Sequence, residues 1–191
     1  GFRALNAGKK SIVLDLATEE GRAAVLRLAG SCDVFVENFR PGVARKLGLG
    51  PDEIRAVRPD IVYCSISGWG QAGPNSARGA YDHVIQAATG MMAMQGSDAS
   101  APPVKVGFPV IDIATGISAA EAILAALIRR LRGDTAPVTL DVSMVDCALA
   151  LMSGPAASTL ATGKAPARVG NRGFVGSPGA ETFATSDGHI S

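Results

Sequence analysis

The residue best placed to do chemistry is Asp112, which follows a short apolar run and precedes the longest helical pattern in the chain. The run ends at Pro109, a turn is predicted over residues 110–112, and a helix is predicted from about Ile113 to Arg132. An Asp before a helix is most often an N-cap, whose side chain accepts a backbone N–H. The alternative is a working carboxylate, ionised near the positive end of the helix dipole. Spacing alone favours the cap and leaves the second interpretation open.

Composition predicts a globular domain without nucleic acid, metal or membrane as a partner. The 191 residues suffice for one domain with a core, and 47% of them are apolar. The net charge is +1 with no basic stripe, which disfavours nucleic-acid binding. The apolar run 113–128 contains Glu121 and is short for a membrane span, so a buried helix is expected.

The few cysteines and histidines indicate neither a disulfide framework nor a metal site. Their spacing forms no paired motif, and this fits a reducing, cytoplasmic setting. The residues are Cys32, Cys64, Cys147, His83 and His189. The chain begins without Met and stops as if a strand were starting, which predicts a fragment of a longer protein.

The order of elements predicts an α/β fold with a Rossmann-like parallel sheet and flanking helices. Apolar runs indicative of strands alternate with helical patterns, the arrangement of βαβ units. Strands are predicted over 11–16, 33–37, 61–67, 105–109 and 138–142, and helices over 19–29 with Thr18 as the cap, 43–47, 51–57, 81–94, 113–132 and 144–160. Ligands of such sheets gather at the carboxyl ends of the strands. We expect residues 1–165 to be part of a large α/β domain and 166–191 to be a Gly/Pro-rich linker towards a small domain.

Common cofactor and nucleophile motifs are absent from the sequence. No Gly-x-Gly-x-x-Gly follows the first strand, and no phosphate-binding loop ends in Gly-Lys-Ser/Thr. No Gly-x-Ser-x-Gly elbow of a serine hydrolase is present.

Six stretches, taken in order, closely resemble the family III CoA-transferases, which include formyl-CoA transferase, carnitine CoA-transferase and α-methylacyl-CoA racemase. Each stretch is weakly specific alone, and the ordered set is strongly specific. They are Asn6-Ala-Gly-Lys-Lys-Ser-Ile-Val-Leu-Asp-Leu16, Asp33-Val-Phe-Val-Glu-Asn-Phe-Arg-Pro-Gly42, Ser65-Ile-Ser-Gly-Trp-Gly-Gln-Ala-Gly-Pro74, Ala80-Tyr-Asp-His-Val-Ile-Gln-Ala-Ala-Thr-Gly90, Gly107-Phe-Pro-Val-Ile-Asp112 and Leu140-Asp-Val-Ser-Met144.

The resemblance implies an acyl-CoA enzyme working as an interlocked homodimer, with the CoA thioester as substrate and no further cofactor. It places the catalytic aspartate at Asp112, which reverses the preference for a simple cap. It implies CoA contacts at Asn38, Phe39, Arg40, Lys46 (or the neighbouring Arg45), Gly79, Ala80 and Tyr81. This chain would be the middle of the large domain, without an N-terminal CoA-contacting segment and the small C-terminal domain.

The implied reaction moves CoA between an acyl-CoA and a small carboxylic acid. A carboxylate such as Asp112 can attack a thioester carbonyl to give a mixed anhydride and CoA thiolate. Backbone N–H groups near the Asp112 turn, or the glycine-rich stretch 173–179, could stabilise the tetrahedral oxyanion. That stretch lacks an unbroken glycine run, so the shielding role of the family's glycine loop is not assigned to it.

Two alternatives remain: a racemase-type enzyme on the same fold, and a non-catalytic CoA-binding relative in which Asp112 is a helix cap. The racemases have a His base where this chain has Tyr81. An unperturbed Tyr has a pKa of about 10, which suits α-proton abstraction poorly near neutrality and favours CoA transfer. His83 is two residues further along a predicted helix and is expected to point elsewhere.

Overall fold

A three-stranded parallel sheet forms the centre of the computed structural model, which describes residues 1–172, 179 and 181–191. Its strands are β1 (Val34–Glu37), β2 (Val62–Ser67) and β3 (Val138–Ser143), in the spatial order β1-β2-β3. Val62 lies opposite Val34 on one side and Val138 on the other. The central strand β2 is almost wholly buried, as expected of a parallel strand covered on both faces. The predicted α/β fold with a parallel sheet and flanking helices is confirmed.

Nine helices accompany the sheet in the part of the chain that the structure describes. They are α1 (Phe2–Leu5), α2 (Glu19–Ala29), α3 (Val43–Lys46), α4 (Pro51–Val57), α5 (Asp82–Ala88), α6 (Met91–Met94), α7 (Val110–Leu131), α8 (Met144–Leu151) and α9 (Ser153–Thr162). Two short strands, β4 (Phe183–Ala184) and β5 (His189–Ile190), pair antiparallel within the predicted linker.

Two predicted strands are wrong. Residues 11–16 form no strand, and Ile12 and Val13 are mostly exposed. A strand needs a neighbour for its backbone N–H and C=O groups, and none of the described residues provides one here. Residues 105–109 also form no strand, because the backbone N–H of Val106 donates to the side chain of Gln86 rather than to a sheet.

Three predicted helices have different limits. The helix predicted over 81–94 is divided into α5 and α6 at Gly90, which has a φ of +82°. The helix predicted over 144–160 is divided into α8 and α9, which are bent by 83°. The long helix α7 begins at Val110 instead of Ile113, so the predicted turn over 110–112 is already helical.

The first turn of α7 is anchored in the apolar core. Ile111 is fully buried and packs in a cluster with Ile85 of α5 and Met144 of α8. Burying a side chain of this size stabilises the fold by about 1.5–3 kcal/mol. The residue next to it, Asp112, is thereby held at the surface above the sheet.

The far end of α7 is tied to the amino ends of the strands by ion pairs. The Arg130 guanidinium lies 2.7 Å from Asp33 Oδ1, just before β1, and 3.4 Å from Asp60 Oδ2, just before β2. Arg58 pairs with the same two aspartates. The Arg130 side chain is only 20% exposed, so this network fixes the helix more firmly than a fully solvated pair would.

The opposite face of α7 carries a row of exposed apolar side chains, so the expectation of a buried helix is wrong for that face. The row consists of Ile113, Ile117, Leu124, Ile128 and Leu131, each at least half exposed. α7 has 22 residues, and an 18-residue window within it has a mean hydropathy of 1.8, so it has the length and composition of a membrane span. Core helices of soluble proteins share these properties, so they do not by themselves indicate a membrane.

Gly68, at the end of β2, allows a close approach between β2 and the loop before α5. A Cβ added to Gly68 would lie 2.1 Å from the Cβ of Ala80. We expect Gly68→Ala to lower the free energy of unfolding by about 1–3 kcal/mol, because the loop must move away. Urea unfolding monitored by circular dichroism measures the change.

The matched control is Gly116→Ala in α7, where an added Cβ meets nothing within 4 Å. Ala is the better helix former by about 1 kcal/mol, so this variant should be more stable than the wild type. A Gly68→Ala protein as stable as the wild type would contradict the close approach.

Candidate functional site

A cleft of about 570 Å³ lies at the carboxyl end of the sheet, where the sequence predicted a ligand site. Three parts of the fold converge there: the turns that follow β1 and β2, the loop before α5, and the first turns of α7. The lining residues include Asn38, Phe39, Arg40, Ser67, Gly68, Arg78, Ala80, Tyr81, Asp112, Thr115, Gly116 and Met144. The candidate nucleophile and most of the predicted CoA-contacting residues therefore share one cleft.

Asp112 is not the N-cap of α7. It is the third residue of the helix, and the N-cap position is occupied by Pro109, which makes no side-chain cap. The cap comes instead from Asp82 of α5, whose Oδ2 accepts the N–H of Ile111 at 2.7 Å and the N–H of Asp112 at 3.1 Å. The Asp112 carboxylate itself makes no hydrogen bond to another described residue, so it is free to meet a ligand.

The surroundings of Asp112 raise the pKa of its carboxyl group above the ordinary value. Partial burial is the larger cause, and the nearby negative charge of Asp82 is the second. Both disfavour the ionised form. A carboxylate with a raised pKa is more basic than a solvated carboxylate, and it is therefore a better nucleophile.

The backbone N–H groups of Ile111 and Asp112 do not point into the cleft as oxyanion donors. Both already donate to Asp82, so the expectation that N–H groups at this turn stabilise an oxyanion is wrong for these two. Ser67 offers another donor at the cleft. Its side chain is 7% exposed, and its Oγ has no hydrogen-bond partner among the described residues.

The turn after β1 is shaped by Glu37, which is 7% exposed at the end of the strand. Its Oε2 accepts the N–H of Phe39 at 2.8 Å and so bends the chain into the cleft. Arg40 follows, and its Nη2 lies 3.5 Å from the position of a Cβ added to Gly79. Gly79 is thus a neighbour of Arg40, although it is not among the residues that line the cleft.

Lys46 lies away from this cleft. It is exposed on the short helix α3 and is not among the residues that line the cleft. Its neighbour Arg45 lines a different cavity and pairs with Asp52 at 3.4 Å. The structure therefore does not bring the predicted basic position together with Asp112.

Tyr81 and His83 are closer to each other than the sequence indicated. Tyr81 is the N-cap of α5 and has an extended backbone, so the angular spacing of helical residues does not apply to it. The two rings stack, with centroids 6.0 Å apart and planes 4° from parallel. The prediction that His83 points elsewhere is wrong.

Several cleft residues were not selected from the sequence. Arg78 lies over the Trp69 ring at 4.5 Å from its centroid and lines the cleft. Thr115 and Gly116 are three and four residues beyond Asp112, and helical periodicity could have placed them on the same face. For Ser67 and Arg78, no local pattern distinguishes them from ordinary strand and loop residues.

The glycine-rich stretch 173–179 lies, apart from Gly179, outside the described residues. Within residues 1–172, 179 and 181–191, no three His, Cys, Asp or Glu side chains lie close enough to hold a metal ion. The polar side chains at the cleft are one carboxylate, one amide, three hydroxyl groups and two guanidinium groups.

Replacing Asp112 with Asn should stabilise the folded protein at neutral pH. A raised folded pKa means that the contribution of Asp112 to stability is full below its unfolded pKa of about 3.9 and is lost as the pH rises through the folded pKa. Asp112→Asn does not titrate, so its Tm should exceed that of the wild type at pH 7. The difference should shrink towards pH 4, as measured by calorimetry across this range.

Asp98→Asn is a control of opposite sign. Hydrogen bonds from Ser100 lower the pKa of Asp98 to about 2, so its ionised form contributes stability above the unfolded pKa. This variant should have a lower Tm at pH 7. An Asp112→Asn protein with a lower Tm than the wild type at pH 7 would contradict the unfavourable environment of the carboxylate.

Comparisons with known proteins agree over almost the whole chain. The family model of CoA-transferase family III matches residues 1–191. The chain is 38% identical to the succinate–glutarate CoA-transferase of Agrobacterium fabrum, covering 99% of this chain and 46% of that protein. It is 41% identical to the acetyl-CoA:oxalate CoA-transferase of Acetobacter aceti, covering 90% of this chain and 44% of that protein.

A solved structure agrees as well. The crystal structure of a CAIB/BAIF family protein from Brucella suis superposes with a TM-score of 0.87 at 38% identity, covering 96% of this chain and 48% of that one. The chain thus spans a little under half the length of these relatives. The match over all 191 residues, together with these identities, places the chain in CoA-transferase family III.

Proposed function

We propose that the full-length protein transfers CoA from an acyl-CoA to a carboxylic acid and that Asp112 is the covalent nucleophile. The carrying observation is the cleft, in which Asp112 faces the segment Asn38, Phe39 and Arg40 that resembles the family's CoA-contacting loop. Two relatives are named for succinate and glutarate and for acetyl-CoA and oxalate, which supports a small carboxylic acid as acceptor.

The charges of the cleft suit a CoA ester. Arg40 and Arg78 line it, and guanidinium groups bind phosphate and carboxylate oxygens through paired N–H donors. Arg78 is held over the Trp69 ring, which orients its guanidinium group before a ligand arrives.

The proposed reaction begins when an Asp112 oxygen attacks the thioester carbonyl carbon. The carbon–sulfur bond breaks, leaving a mixed anhydride on Asp112 and CoA thiolate. The thiolate then attacks the aspartyl carbonyl, which releases the first carboxylate and leaves CoA bound to Asp112 as a thioester. The acceptor carboxylate attacks the carbonyl carbon of this thioester, which releases CoA thiolate and forms a second anhydride. The thiolate then attacks the acceptor's carbonyl carbon in this anhydride, which gives the new acyl-CoA and free Asp112.

Each attack forms a tetrahedral oxyanion that needs a hydrogen-bond donor. The N–H groups of Ile111 and Asp112 are engaged by Asp82, so other donors must act.

The nucleophile can be tested by intact-mass spectrometry of the full-length protein quenched after mixing with a panel of acyl-CoAs. We expect a CoA or acyl adduct on the wild type that maps to the peptide containing Asp112. Asp112→Asn should give no adduct and should still bind CoA, because the amide cannot form the anhydride and lies in the same place.

Asp98→Asn is the matched control, since it removes a carboxylate from an exposed loop, and its adduct should match that of the wild type. An adduct on Asp112→Asn, or none on the wild type with any donor, would contradict the proposed nucleophile.

A racemase-type reaction is the second candidate, and the position of His83 favours it. Tyr81 lines the cleft and the imidazole of His83 stacks on its ring, which brings a potential base beside the cleft. Its signature would be exchange of the substrate α-proton with solvent deuterium, followed by NMR, without any adduct on Asp112. If His83 is the base, His83→Gln should abolish that exchange.

The proposal also includes an interlocked homodimer in the cytoplasm, as the family resemblance implies. All three cysteines are free, in keeping with a reducing compartment. Light scattering of the full-length protein should give twice the mass of its chain.

A further inference from the structure

Asp82 joins two helices at the N-terminus of α7. Its Oδ2 accepts the N–H groups of Ile111 and Asp112, and its Oδ1 accepts a hydrogen bond from Nε2 of Gln86, one turn further along α5. The N-cap residue Pro109 provides no side-chain acceptor. A carboxylate from a neighbouring helix therefore satisfies the N–H groups that a local cap would ordinarily satisfy.

Gln86 determines which atoms donate in this network. Its side chain is 1% exposed, and its Oε1 accepts the N–H of Val106 at 2.9 Å. Because the amide oxygen faces an N–H, the amide nitrogen must point towards Asp82 and donate. Asp82 thus has to accept at both oxygens, which an ionised carboxylate does and an amide does not.

We propose that Asp82 is a positioning residue for the reaction: by capping α7 from α5, it fixes the place and orientation of the Asp112 carboxylate in the cleft. This inference rests on the nucleophilic role proposed above for Asp112. The backbone N–H of Asp112 is itself one of the capped groups, so a loss of the cap moves the nucleophile directly. A displacement of about 1 Å at a reacting group can slow a reaction roughly a hundredfold.

The same carboxylate makes Asp112 more basic. The charged and titratable groups that line the cleft with Asp112 are Arg40, Arg78 and Tyr81, and Asp82 is the negative group against its backbone. Partial burial and the charge of Asp82 raise the pKa of Asp112. Removing the charge of Asp82 leaves Asp112 partly buried. The pKa of Asp112 should therefore fall only part of the way towards its ordinary value.

The test compares rates of adduct formation on Asp112 in the full-length protein by rapid quench and intact mass, over a range of pH. Asp82→Ala removes the cap, and we expect the rate to fall at least tenfold while the affinity for CoA changes less than threefold. Asp82→Asn retains one acceptor oxygen, but its amide nitrogen faces the amide nitrogen of Gln86 and cannot accept a hydrogen bond from it. We expect the rate of adduct formation to fall at least fivefold.

A double variant, Asp82→Asn with Gln86→Glu, should recover the rate to within threefold of the wild type. The introduced carboxylate can accept from both the N–H of Val106 and the new amide, so every hydrogen bond of the network is restored. The negative charge, however, lies a helical turn away from its original place. The acid limb of the pH–rate profile should therefore move to lower pH in both Asn variants, which a purely structural role of Asp82 would not produce.

Thr18→Ala is the matched control. Thr18 caps α2 by accepting the N–H of Gly21 at 3.1 Å, and α2 does not reach the cleft. It removes a helix cap of similar strength, so its adduct rate and pH profile should equal those of the wild type.

An Asp82→Ala rate within twofold of the wild type overturns the positioning role. Should that variant fail to fold, a double variant no faster than Asp82→Asn overturns it instead. If the wild type forms an adduct and all variants form it at the same rate, the role of Asp82 is contradicted while the nucleophilic role of Asp112 stands. The absence of any wild-type adduct overturns both this role and the proposed nucleophile.

Discussion

The fold depends on how α7 is held at its two ends. At its N-terminus, Ile111 is buried in the core and Asp82 accepts the first free N–H groups. At its C-terminus, Arg130 is paired with Asp33 and Asp60, which precede the first two strands of the parallel sheet. Because α7 runs antiparallel to these strands, anchoring its end at their start brings its beginning to their carboxyl ends, where the cleft lies.

This arrangement has an energetic cost that is local to the cleft. Asp82, at the start of α5, caps the turn of α7 that carries Asp112, so two carboxylates meet there. Asp112 is partly buried without a hydrogen-bond partner among the described residues. The charge of Asp82 disfavours the ionisation of Asp112. Functional sites commonly retain such unfavourable pairs because the raised basicity is useful for chemistry. The surrounding apolar cluster supplies the stability that the pair removes.

The loops of the cleft are shaped by one local hydrogen bond and by two contacts between residues distant in sequence. Glu37 bends the turn that carries Phe39 and Arg40, Gly68 lets β2 approach Ala80, and Gln86 holds the segment before α7 through Val106. None of these contacts belongs to a regular element. Together they explain why irregular segments, including the wrongly predicted strand over 105–109, adopt one shape.

The sequence by itself determined the class of the fold, its central strands and the ordered motifs that place the chain in its family. Apolar periodicity and β-branched runs are local properties, so β1, β2, β3 and the helix around Asp112 could be predicted from them. Tertiary structure decided the rest. It assigned the cap of α7 to Asp82 and not to Asp112, left residues 11–16 without a sheet neighbour, turned His83 towards Tyr81, and placed Lys46 outside the cleft. These outcomes depend on contacts between residues that are distant in sequence. Such contacts form only when the chain is folded, because hydrogen bonding and burial then select the partners.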